Sequence, residues 1–78
     1  SCKIVINPSF IEKVRAVWGD EGVRLVIAHE DLEAECAERG GSDCHEYALA
    51  HECERARIPE ERCKEIRRWL EGLISGRS

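Results

Sequence analysis

"GVRLVIA", residues 22–28, is the stretch on which the fold of this chain turns. Its Val and Ile content suits a buried strand. Leu25, His29, Leu32 and Cys36 also fall on one face of a single continuous helix. The strand is favoured for a topological reason: "CKIVIN" (2–7) is a second β-type run, and alone it would have no partner in the chain. Between the two lies "NPSFIEKVRAVW", which reads as helix. Pro8 suits a first turn, Ser9 and Glu12 have capping-box spacing, and Phe10, Ile11, Val14, Val17 and Trp18 share one face. Gly19 closes that helix.

A strand–helix–strand order implies a right-handed parallel crossover. From Glu30 onward the pattern is helical: "EDLEAECAERGG", then "SDCHEYALAHECERAR" with Ser42 or Asp43 as cap, then "IPEERCKEIRRWLEGLISG" opened by Pro59. Asp43 and Glu46 also have capping-box spacing. Cys63, Ile66, Leu70 and Leu73 form an apolar seam on the last helix. The expected fold is therefore α/β, a β-α-β crossover followed by three packed helices. The alternative is a mostly α bundle with one short N-terminal strand. A two-stranded sheet has open edges, so a homodimer through an exposed sheet edge is the expected association.

The chain has 78 residues, the size of a single domain whose apolar core leaves a thin margin and which often carries a covalent or metal staple. Its net charge is −4, unevenly spread. Residues 20–54 hold eleven acids and two bases, whereas residues 55–78 hold seven bases and four acids, so the last helix can face the acidic middle. Glu60, Glu61, Glu65 and Glu71 dilute the basic end, which argues against nucleic acid as a partner. No apolar run approaches the roughly 18–20 residues of a membrane span, and no signal-peptide pattern opens the sequence. A soluble single domain, residues 1–78, is expected.

"CHEYALAHEC" (44–53) has the cysteine and histidine density of a metal site or thiol catalyst. Helical geometry breaks it apart. At about 100° per residue, Cys44 and Cys53 point in opposite directions, and His45 and His51 diverge by about 120° with roughly 9 Å of rise between them. Outward from the turns a different pattern emerges. Cys36 and Cys44 lie four residues either side of Gly40, and Cys53 and Cys63 lie five either side of Ile58. Residues equidistant from the turn of a helical hairpin sit at one height on neighbouring helices, as a disulfide requires. Structural disulfides Cys36–Cys44 and Cys53–Cys63 are expected. Reduced core cysteines or a zinc or iron–sulfur site are the alternatives, the metal site weakened by the lack of a C-x-x-C pair. Cys2 is left over, free or intermolecular. Cys44, near a helix N-terminus, has the position of an activated thiolate, but the sequence fixes no base beside it.

Each histidine precedes a glutamate, in His29-Glu30, His45-Glu46 and His51-Glu52, yet neighbours on a helix diverge by about 100° and do not orient one another. All three read as surface or boundary residues. His29 stands out because the strand reading puts it at the C-terminal end of a parallel strand, where open α/β folds bind ligands, near Asn7 and Ser9. "NPSF" lacks the glycines of a phosphate loop.

The short "NPSF" link, the "ERGGSD" and "RIPEER" connections, helices filled with Glu, Arg, Leu and Ala, and the absence of Thr, Gln and Met give the chain a recognisable style. Over its whole length it resembles an idealised, de novo designed α/β miniprotein. A small hyperthermophile protein, rich in Glu and Arg and able to keep disulfides, is the rival. The designed resemblance implies that folding is itself the function, with no biological substrate. The expected function is a disulfide-cross-linked scaffold or interaction module with no catalytic activity, no cofactor and no metal. The alternative is a small metal-binding or thiol-active protein using Cys44 or His29. Binding of an unidentified protein partner through the last helix depends on whether Trp69 is exposed.

Overall fold

The computed structural model describes residues 7–75. They form three helices: α1, Pro8–Glu38; α2, Cys44–Ala56; and α3, Glu60–Ser75. No strand occurs among the described residues, so the α/β expectation is corrected to an all-α fold. "CKIVIN" lies outside the described residues except for Asn7. "GVRLVIA" is helical throughout, and without it there is no β-α-β crossover and no sheet edge for a homodimer among the described residues.

The reason lies in what surrounds that stretch. Along residues 22–28 only Arg24 and Ile27 are exposed, a spacing of three that belongs to a helix; a half-buried strand would expose every second residue. Val23 and Val26 pack against Val14, while Leu25 and Ala28 join a second cluster with Ala56, Ile58, Cys63 and Ile66. A helix apolar on most sides is one that is covered on most sides. Tertiary burial overrides the modest preference of Val and Ile for strands.

Gly19 ends the first helical run as expected, but the chain resumes as helix immediately. At φ 67° and ψ −152°, Gly19 adopts a conformation that side-chain-bearing residues rarely visit and puts a sharp break in α1. Val14 then meets Val23 and Val26, residues that a straight helix would hold about 13–18 Å away. The segment before the break folds back on the segment after it. Their close approach needs Gly22, where a Cβ would stand 2.5 Å from Trp18 Cβ and 2.8 Å from Val14 Cγ1.

The caps differ in detail from expectation. Asn7, not Ser9, caps α1: its Oδ1 accepts from the Ser9 amide at 2.9 Å and the Ser9 hydroxyl at 2.8 Å. Asp43 is the N-cap of α2 but is left-handed, with φ 54°, and its side chain makes no capping bond. Both turns are closed by amides reaching back five residues, Gly41 to the Cys36 carbonyl at 2.9 Å and Ile58 to the Cys53 carbonyl at 3.1 Å. Arg24 adds a bond to the Ala56 carbonyl at the end of α2.

Trp69 is half-buried against the Val14 cluster, with its ring edge-on to Trp18 at 6.5 Å. It serves the core of this chain, which removes the exposed anchor that partner binding through the last helix needed. No helix among the described residues is long and apolar enough to cross a membrane.

Candidate functional site

α1 beyond its break, together with α2, makes an antiparallel hairpin whose register can be counted from its turn. Cys36 and Cys44, at equal height, are disulfide-bonded with 5.5 Å between Cα atoms. Cys53 and Cys63 bridge α2 to α3, with 5.9 Å between Cα atoms. Both spacings lie in the range that a disulfide favours. The middle helix is thus tied to a neighbour at each end, on opposite faces. Cys44 is bonded, so the activated thiolate considered from its helix position is not the state of this residue.

Further from the turn, the same register brings together groups that the sequence leaves scattered. Glu33 and His45 stand six residues either side of Arg39, and Glu33 Oε2 lies 2.9 Å from His45 Nδ1. The same Oε2 is 2.8 Å from Nε2 of His29, one helical turn back on α1. The other ring nitrogen of His29, Nδ1, is 2.5 Å from Glu52 Oε1 on α2. Glu52 Oε2 accepts from Arg67 Nε on α3 at 2.8 Å. Arg67 also donates to the Leu49 carbonyl at 2.9 Å and contacts Cys53 Sγ at 3.2 Å. Arg67, Glu52, His29, Glu33 and His45 therefore form one unbroken chain across all three helices.

Burial grades along this chain. Glu52 is 3% exposed, and such a carboxylate is tolerated inside a protein only when its oxygens are paired. Arg67 and His29 provide that pairing. Toward the other end the His45 side chain is 67% exposed. The rings of His29 and His45 meet edge-to-face at 4.9 Å. Beside them a cleft of about 120 Å³ opens, walled by Phe10, Leu25, Val26, Leu49, Leu70 and Ile74.

The electrostatics follow the contacts. The hydrogen bond to Glu52 raises the pKa of His29 above its ordinary value, against the opposing effect of burial, and Glu33 adds to the rise. Burial pushes the Glu33 carboxyl up, but hydrogen bonds and charge from His45 and His29 outweigh it and hold it below its ordinary value. With a carboxylate at each ring nitrogen, His29 is best matched as the imidazolium, donating at both ends.

His29 Nε2, one Glu33 oxygen and a His45 ring nitrogen all lie within 4.8 Å of one another, the grouping that could hold a metal ion among the described residues. No known protein family, curated protein or solved structure matches the chain.

The strand end that the sequence suggests for His29 is not the place it occupies. It lies in mid-helix and faces α2. The adjacent His-Glu pairs of the sequence do not point to Glu33, His45, Glu52 and Arg67, which make up its network. The sequence signals for this network are the His29–Glu33 spacing of four and, to within one or two residues, the hairpin register that pairs Cys36 with Cys44. His51 stays apart, its ring tilted on Tyr47 at 4.6 Å.

Proposed function

We propose that this chain is a cross-linked helical scaffold or interaction module that performs no catalysis. The observation that carries this reading is the position of the two disulfides: each closes one of the two turns between helices. Bonds so placed remove freedom from the unfolded chain while leaving the outer helical faces clear. Chain-entropy arguments assign about 2.5–3 kcal/mol to each loop of this length, large beside the margin of so small a domain. A designed origin, in which foldedness is the whole function, is consistent with this economy of parts.

Mass spectrometry and unfolding test the reading together. The native protein should weigh about four hydrogens less than the reduced one, and reduction should move its urea midpoint sharply downward. Cys36, Cys44, Cys53 and Cys63 all alkylatable in the native fold, or an unchanged midpoint after reduction, would contradict it.

A further inference from the structure

We infer that His29, Glu33 and His45 form a binding site for a divalent late-transition-metal ion, zinc in the first instance, with Glu52 orienting His29 from behind. The inference goes beyond the scaffold reading and does not depend on it.

Donor chemistry comes first. Two imidazole nitrogens and one carboxylate oxygen make the three-ligand set of an open zinc site and suit copper and nickel, whereas magnesium and calcium prefer oxygen donors alone. In a tetrahedral site with bonds of about 2.0–2.2 Å, ligand atoms stand roughly 3.3–3.5 Å apart. Here Glu33 Oε2 is 2.8 Å from His29 Nε2 and 2.9 Å from His45 Nδ1, and the whole triangle lies within 4.8 Å. Glu33 needs to retreat by about half an ångström and the two nitrogens to converge by up to about 1.5 Å to meet those values. The exposed His45 and the half-exposed Glu33 have the freedom to do so.

The arrangement behind the ligands is the second observation. A metal-bound histidine almost always donates its other ring N–H to a carboxylate or carbonyl, which fixes both tautomer and ring plane. His29 already has this partner: Nδ1 faces the buried Glu52, and Glu52 is itself held by Arg67. Nε2 is thereby aimed at Glu33 and His45. An ordinary surface cluster of acids and histidines has no such buried support. A third feature is the Cys36–Cys44 bond, which fixes the start of α2 one residue from His45 and three residues from Glu33. The site is built across a stapled turn, so less ordering is left for the metal to impose. Binding replaces the protons shared between Glu33 and the two imidazoles, and the solvent-facing side near His45 leaves a fourth position for water.

Calorimetric titration of the disulfide-bonded, full-length protein with zinc at neutral pH, in a non-coordinating buffer, tests the inference. The expected result is one zinc per chain, and a zinc-dependent rise in melting temperature that magnesium does not reproduce. His45→Ala, at an exposed position that leaves the core intact, should weaken zinc binding by at least about tenfold, as should Glu33→Gln; Glu52→Gln should weaken it by about 10- to 100-fold through the orientation of His29. His51→Ala and Cys2→Ala should bind as the wild type does. Absence of zinc binding by the wild type overturns the inference. So does wild-type affinity in His45→Ala, or loss of binding in His51→Ala or Cys2→Ala to the same degree as in His45→Ala.

Discussion

Glu52 Oε1 lies 2.5 Å from His29 Nδ1, and the other oxygen of the same carboxylate accepts from Arg67, so one buried acid joins all three helices. Removing Glu52 takes the carboxylate partner from His29 Nδ1 and from Arg67 Nε, both part-buried, and breaking such a pair from one side costs more than the pair itself contributes. Glu52→Ala should therefore destabilise the protein by about 3 kcal/mol, read from urea unfolding. The double variant Glu52→Ala/Arg67→Ala should lose clearly less than the two single losses added together. Strict additivity would show that Arg67 and Glu52 do not act as a unit.

His29 and Glu33 set the pH range in which the metal-free protein is most stable. The folded pKa of His29 is raised above its ordinary 6.5, so the folded state holds its proton more tightly than the unfolded chain does. That contribution is fully present below pH 6.5 and fades as pH rises through the folded value. For Glu33 the folded pKa is lowered from 4.5, so its contribution is present above pH 4.5 and fades as pH falls through the folded value. Groups facing His29 are Glu33 on its own helix and Glu52 and His45 on α2, with Arg67 of α3 behind Glu52. Unfolding free energies measured in the presence of a chelator should be highest between about pH 4.5 and about pH 6.5 and should fall on the alkaline side. His29→Gln should flatten the alkaline limb. An alkaline limb as steep in His29→Gln as in the wild type would place its origin elsewhere.

The disulfide framework and the chain of contacts from Arg67 to His45 are legible in the sequence to very different degrees, although one geometric idea approaches both. Counting outward from Gly40 pairs Cys36 with Cys44 and, carried two turns further, brings His29, eleven residues out, within one residue of Glu52, twelve out. The cysteines are legible because a disulfide needs a single partner of one rare residue type. The chain of contacts from Arg67 to His45 is not legible in the sequence, because a carboxylate among sixteen acids carries no mark of burial until the helices are placed. The helix at residues 22–28, where the sequence suggests a strand, has another cause. Val23 and Val26 favour strands locally, and only the fold-back at Gly19, which brings Val14 onto them, makes a helix the better way to bury both. A break and immediate return of helix looks, in sequence, the same as a helix end followed by a strand.

That fold-back also yields the sharpest structural test of the all-α arrangement. Gly22 is buried, and a methyl group there would lie 2.5 Å from Trp18 Cβ and 2.8 Å from Val14 Cγ1, distances that real side chains do not accept. Neither neighbour is a flexible side-chain end that can swing aside: Trp18 Cβ is fixed to its backbone and Val14 is fully buried. Ala is the better helix former by about 1 kcal/mol, so in an open helix Gly22→Ala would stabilise. Here overpacking should win, with a net loss of about 1–3 kcal/mol in urea unfolding. At Gly19 nothing crowds a new side chain, so Gly19→Ala should show only the strain of a backbone conformation that is essentially glycine's alone, about 1–3 kcal/mol. A Gly22→Ala variant as stable as the wild type would mean that the two segments of α1 do not meet at residue 22.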